Sequence, residues 1–157
     1  MRLPFAVLLI AGCAAAPPVD APRFAPMTSV AADKATVYIY RPTATFNLGG
    51  YPEIFLNGEK KFALHANGYG AFALPPGEYE IKAEGSRMGT NWWPRPAIRP
   101  IVVQAGREYY VRVIPVLPPG VKPGPHLFAE DNVSRTLITL VPKDEALEEI
   151  AKTQLNQ

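Results

Sequence analysis

The chain has 157 residues, a formal net charge of +2, 18 prolines, 12 glycines and a single cysteine. This length suits one domain with its own core and hardly two, and a lone cysteine excludes an internal disulfide, so stability has to come from burial. The basic residues are scattered rather than gathered into a stripe, which argues against nucleic acid as a partner.

Residues 1–12 read as an export signal: Arg2 supplies an early positive charge, an uncharged apolar run follows from Leu3 to Ala11, and Gly12 precedes Cys13. A membrane span needs roughly 20 apolar residues, whereas here the uncharged run ends at Asp20 and is interrupted by Pro17 and Pro18. A cut after Ala16 would satisfy the small-x-small rule, but it would leave Pro17 directly after the scissile bond, where its ring and missing N–H fit badly. Ile10, Ala11, Gly12 and Cys13 resemble the lipobox of bacterial lipoproteins. The resemblance implies that the signal peptidase recognises Ile10, Ala11 and Gly12, and that Cys13 carries a covalent diacylglycerol and palmitate; no other cofactor and no metal is expected. It also implies an address, a bacterial envelope with the lipid anchor in a membrane. Lipoproteins with Asp after the cysteine tend to stay in the inner membrane, and Ala14 stands there in this chain. The outer membrane, facing the periplasm, is therefore expected.

Residues 13–34 contain Pro17, Pro18, Pro22 and Pro26 among alanines, with no hydrophobic period. Such a stretch is expected to run as a disordered tether reaching at most about 3.1 Å per residue.

From residue 35 to 142 short runs rich in Val, Ile, Tyr and Phe alternate with Gly, Pro and Asn, the pattern of an all-β sandwich of about seven strands. The first run, 36–41, ends at Pro42, which cannot donate to a ladder. Asn57-Gly58 between runs 52–56 and 59–64 predicts a type I′ hairpin. Run 78–84 sets Tyr79, Ile81 and Ala83 against Glu78, Glu80, Lys82 and Glu84, so one side packs and the other is wet. Runs 98–104 and 107–114 flank Ala105-Gly106 and read as a second hairpin. In the latter Tyr109, Val111 and Val113 share one face, and Glu108, Tyr110 and Arg112 the other. Tyr38, Tyr40 and Tyr110 are expected as an aromatic ladder on the outside of a sheet. A last strand over 135–141 precedes Pro142 and a C-terminal segment, 143–157, in which a helix is predicted from about 144 to 155 with Leu147, Ile150, Ala151 and Leu155 on its packed side.

Four motifs in order carry a further resemblance: Val37-Tyr38-Ile39-Tyr40-Arg41-Pro42, Leu56-Asn57-Gly58-Glu59, Leu74-Pro75-Pro76-Gly77-Glu78-Tyr79, and Ala105-Gly106-Arg107-Glu108-Tyr109-Tyr110-Val111-Arg112. They are similar to the bacterial family catalogued as domain of unknown function 2846, over about residues 35–113. The resemblance implies a sandwich of the prealbumin or carboxypeptidase-regulatory type in a small lipoprotein, and it implies no activity.

Groups that could do chemistry are few. His65 follows a strand with Phe62 and Leu64 on its apolar side and reads as a solvated strand histidine, while His126 lies alone at a loop exit. Glu130-Asp131 are adjacent and so point apart, and Glu148-Glu149 are expected on an exposed helix face. Neither makes an acid and base pair, so a hydrolase is the poorest of the readings and no enzyme is expected. Trp92, Trp93 and Arg95 form the candidate binding loop, with flat aromatic surfaces and a cation suited to a glycan such as peptidoglycan, or to an envelope protein. The plainer reading, that one indole caps the sandwich and the other lies along the surface, is preferred because large aromatics usually bury most of their area. The segment 115–125, with Pro115 and Pro118, is read as a rigid loop before a recognition motif. The expectation is thus a non-catalytic, lipid-anchored binding or scaffolding module.

Overall fold

The structure is a computed structural model and describes residues 21–43, 51–84, 96–116 and 135–156. In chain order these form β1 (Ala35–Arg41), β2 (Glu53–Leu56), β3 (Glu59–Ala63), β4 (Gly68–Leu74), β5 (Gly77–Glu84), β6 (Ala97–Val103), β7 (Glu108–Val116), β8 (Arg135–Val141), α1 (Lys143–Ile150) and β9 (Gln154–Leu155). The fold is an all-β sandwich with one short C-terminal helix: a five-stranded sheet ordered β8-β7-β1-β4-β9 faces a four-stranded sheet ordered β3-β2-β5-β6.

All seven residues of β1 are buried, because the strand lies mid-sheet with both faces covered. Val37 and Ile39 pack between the sheets with Ile54, Leu64, Ile81, Val103, Val111 and Val113. β1 ends before Pro42 and runs antiparallel to β4 and parallel to β7. Asn57 and Gly58 have φ of 49° and 80°, the paired positive values of the expected hairpin turn. Asn57 does more than turn the chain: its Oδ1 accepts the Glu80 N–H at 2.8 Å and so ties the hairpin to β5. The alternation read in 78–84 holds, with Ile81 and Ala83 buried against an exposed Glu78 and Glu80.

Three sequence expectations are corrected. Ala105-Gly106 does not close a hairpin: β6 pairs with β5 and β7 with β1 and β8, so this turn carries the chain from one sheet to the other. Pro115 belongs to β7, buried and opposite Thr136, rather than to a loop. The helix stops at Ile150, with Ala146 and Ile150 as its buried residues. Leu155 then leaves helical register and enters β9, where it pairs with Tyr69.

The described part of the expected tether, residues 21–34, also lies against the domain. Arg23 bridges to Gln154, the Phe24 N–H donates to the Thr153 carbonyl at 3.0 Å, and the Leu155 N–H donates to the Pro22 carbonyl at 3.0 Å. Both ends of the described chain therefore meet at one sheet edge. Gly68 makes that edge possible. A Cβ there would fall 1.6 Å from Asn156 Oδ1, the atom that accepts the His65 N–H at 2.9 Å. Gly68→Ala must expel Asn156, and a loss of about 1–3 kcal/mol is expected for such overpacking. A melting curve gives the size of the loss. Hydrogen exchange should localise it to Leu155 and Asn156, and protection unchanged there would contradict this account.

Strand direction sorts the connections. The short links 64–67, 75–76 and 104–107 join the sheets, and with the registers above they place the end of β1, the start of β2, the end of β5, the start of β6, the end of β7 and the start of β8 at one end of the sandwich. The chain enters β1 at the opposite end.

Candidate functional site

The outward face of the five-stranded sheet carries a second core. Tyr38 and Tyr40 from β1, Tyr69 from β4 and Tyr110 from β7 are buried together with Val141, Ala146 and Ile150. Tyr38 and Tyr110 are register partners and stack at 5.1 Å with planes 22° apart. Phe24 meets Tyr38 and Tyr69 edge-on at 5.3 and 5.2 Å, arrangements that aromatic quadrupoles favour. The expected ladder of tyrosines is present, but α1 and residues 21–27 cover it, so it offers no open platform.

The helix is fastened over this layer by charge. Tyr40 O–H donates to Glu149 Oε2 at 2.6 Å, and Arg112 Nη1 donates to Glu149 Oε1 at 2.8 Å and to Glu145 Oε1 at 2.9 Å. Lys143 pairs with Glu108, which also accepts from Tyr110 O–H at 3.3 Å. Glu149 is therefore not on a bare helix face, as its sequence context suggests, but half-buried between two strand residues. Burial first, then the bond to Glu149 and its charge, push the Tyr40 phenol far up. Burial and then the Glu108 charge push up Tyr110. Burial lowers Arg112, but its bonds and attraction to Glu149 and then Glu145 outweigh that and leave it raised. With its carboxylate so engaged, Glu149 is a structural anion rather than a general base.

At the end of the sandwich where β1 finishes, Arg41 is fully buried on the inter-sheet side, and burial draws its guanidinium down to about 10. It stays charged at neutral pH. His65 lies nearby in sequence terms to β3 and packs on Tyr51 with ring centroids 4.1 Å apart, partly buried rather than solvated. Among the described residues no group of three or more His, Cys, Asp or Glu side chains is placed to hold a metal, and no helix is long and apolar enough to cross a membrane.

The opposite end, where β1 begins, holds an open cleft of about 610 Å³. Residues 27–32 form one wall, held by the Met27 N–H donating to Tyr38 Oη at 2.9 Å. Thr36 and the turn before β7 form the floor, and Lys143 of α1 closes one side. Lys34 and Arg107 are fixed beside each other by backbone bonds, Gly106 N–H to the Lys34 carbonyl and Thr36 N–H to the Arg107 carbonyl, each 2.9 Å.

A family model described as "Protein of unknown function (DUF2846)" matches residues 31–125, well over half of the chain. The chain belongs to the DUF2846 family. No curated protein matches it. The DUF2846 region takes in β1 to β7 and the proline-rich segment, and stops short of β8, α1 and β9. The helix that covers the tyrosines is thus contributed from outside the matched region.

Of the residues singled out in this DUF2846 sequence, Ile10, Ala11, Gly12, Cys13, Trp92, Trp93, Arg95 and His126, with Glu130 and Asp131, lie outside the described residues. The strand ends flanking 85–95 belong to the end of the sandwich away from the start of β1, the end where residues 22–24 also pair with 153–155. Sequence reasoning missed the cleft, since Lys34, Arg107 and Lys143 come from three distant segments with no common spacing. It also missed the Arg112 clamp, although Glu145 and Glu149 stand four apart on one helix face, the spacing by which two acids grip one cation.

Proposed function

We propose that this DUF2846 protein is a lipoprotein of a bacterial envelope, cleaved after Gly12, acylated on Cys13, and acting without catalysis as a binding or scaffolding module. The observation that carries the reading is the run from Arg2 through the apolar segment to Ile10-Ala11-Gly12-Cys13. Two acyl signals on one residue make anchoring effectively stable, at about 0.8 kcal/mol per buried methylene. With Ala14 after the cysteine the anchor sits in the outer membrane and the domain faces the periplasm.

Residues 22–24, where the tether joins the domain, pair with residues 153–155 beside the start of β4, at the same end of the sandwich as the strand ends flanking residues 44–50, 85–95 and 117–134. The candidate partner surface there is Trp92, Trp93 and Arg95, for a glycan or an envelope protein. Growth on labelled palmitate tests the anchor. The wild type takes up label and Cys13→Ser does not; an unlabelled wild type, or equal label in the serine variant, removes the reading.

A further inference from the structure

The cleft at the end where β1 begins has a charge its size and shape make meaningful. Three cations from separate segments line it, Lys34 ahead of β1, Arg107 at the head of β7 and Lys143 at the start of α1, against one lining carboxylate, Glu108. Glu108 is already paired with Lys143. Among the described residues neither Lys34 nor Arg107 forms an ion pair; Asp33 and Asp144 are exposed next to the cleft but do not line it. Two cations held together by the backbone and left uncompensated attract an anion, and the planar Arg fork suits a phosphate better than a point charge would. The lining also includes the apolar side chains of Met27, Val30 and Ala31. At about 610 Å³ the space lies within the ~300–1,000 Å³ of small-molecule sites and far exceeds a bare phosphate.

We propose that this cleft binds an organic phosphate, its anionic group on Lys34 and Arg107 and its uncharged body along the Met27–Ala31 wall. The charge argument stands on the cleft alone. Two sources share this chemistry, a phospholipid headgroup and a soluble phosphomonoester. If the chain is anchored at Cys13, the tether joins the domain at residues 22–24, at the end of the sandwich opposite the cleft, which favours the soluble phosphomonoester; that part rests on the lipoprotein reading.

The test follows amide resonances of the full-length chain during titration with glycerol 3-phosphate, with glycerophosphoglycerol as a deacylated lipid headgroup, and with glycerol as the uncharged body. A phosphate should shift Thr36, Gly106 and Arg107 saturably, and glycerol should not. Lys34→Glu with Arg107→Glu should weaken binding about tenfold or more, since charge-assisted bonds contribute ~1.5 kcal/mol or more each. Arg99→Glu, an exposed cation on β6 away from the cleft, should leave it unchanged. If the double reversal disturbs the fold, the neutral pair Lys34→Gln with Arg107→Gln carries the same comparison. Tighter binding of the diester identifies a lipid headgroup, and tighter binding of the monoester a soluble phosphate. No saturation by either up to about 10 mM, equivalent to only ~2.7 kcal/mol of binding, overturns the proposal, as does binding that survives loss of both cations. Palmitate labelling of Cys13 is read separately, so failure of the anchor and failure of the cleft are distinguishable.

Discussion

A chain ending at Pro142 should not melt as a cooperative unit and should aggregate at concentrations where the whole protein stays dispersed. Removing residues 143–157 takes away Ala146 and Ile150 and uncovers one face of the tyrosine layer. It also leaves Arg112 without Glu145 and Glu149, and removes the Thr153 carbonyl that receives Phe24. Burial of Ile150 alone is worth roughly 1.5–3 kcal/mol, and each aromatic that loses its cover forfeits part of a comparable sum. Together these losses approach the whole of a domain's ~5–15 kcal/mol margin. Differential scanning calorimetry of the full and shortened chains decides the matter. A shortened chain that melts cooperatively within a few degrees of the full one would make the helix an ornament.

Raising the pH above about 10 should unfold the protein over a narrow interval. Tyr38, Tyr40 and Tyr110 all have phenols pushed up in the folded state, with burial the first cause in each case. A raised folded value contributes stability that is complete below the unfolded value near 10 and is lost as the pH climbs toward the folded one. The loss is ~1.4 kcal/mol per pH unit for each tyrosine. Arg41 works against it: burial brings its guanidinium down to about 10, so the folded state releases that proton first and regains stability over the same interval. Tyr40 and Tyr110, the phenols pushed furthest, outweigh this single group, so the net remains a loss of ~1.4 kcal/mol per pH unit or more. Phenolate absorbance from these three residues should therefore appear in step with loss of circular dichroism. Ionisation of all three in a chain whose dichroism is unchanged would contradict the burial described above.

Local patterns in the sequence spoke for local structure. Asn57-Gly58 announced its turn because two consecutive positive φ values are costly for other residues, and the charge alternation of 78–84 announced a strand with one wet face. Where two outcomes share the same local chemistry, the sequence was silent. A short link with a glycine serves a hairpin or a corner between sheets, and Ala105-Gly106 turned out to be the corner. Leu155 fits a helical stripe or a strand equally, and pairing with β4 settled it. Phe24 and Met27 sit in a proline-rich stretch without period, so nothing near them signals that Tyr38 and Tyr69 are waiting across the sheet. The cleft was illegible for the same reason: convergence of Lys34, Arg107 and Lys143 is a property of strand order, above all of the parallel pairing of β1 with β7.

The stitching of residues 22–24 to 153–155 gives the molecule a mechanical character. A pull from the N-terminal side meets these few bonds and the wedged Phe24 ring before any force reaches β1. They would peel one after another, leaving both sheets whole, and free residues 21–34 as slack of about 45 Å at ~3.3 Å per residue. The chain carries its own folded reserve of length.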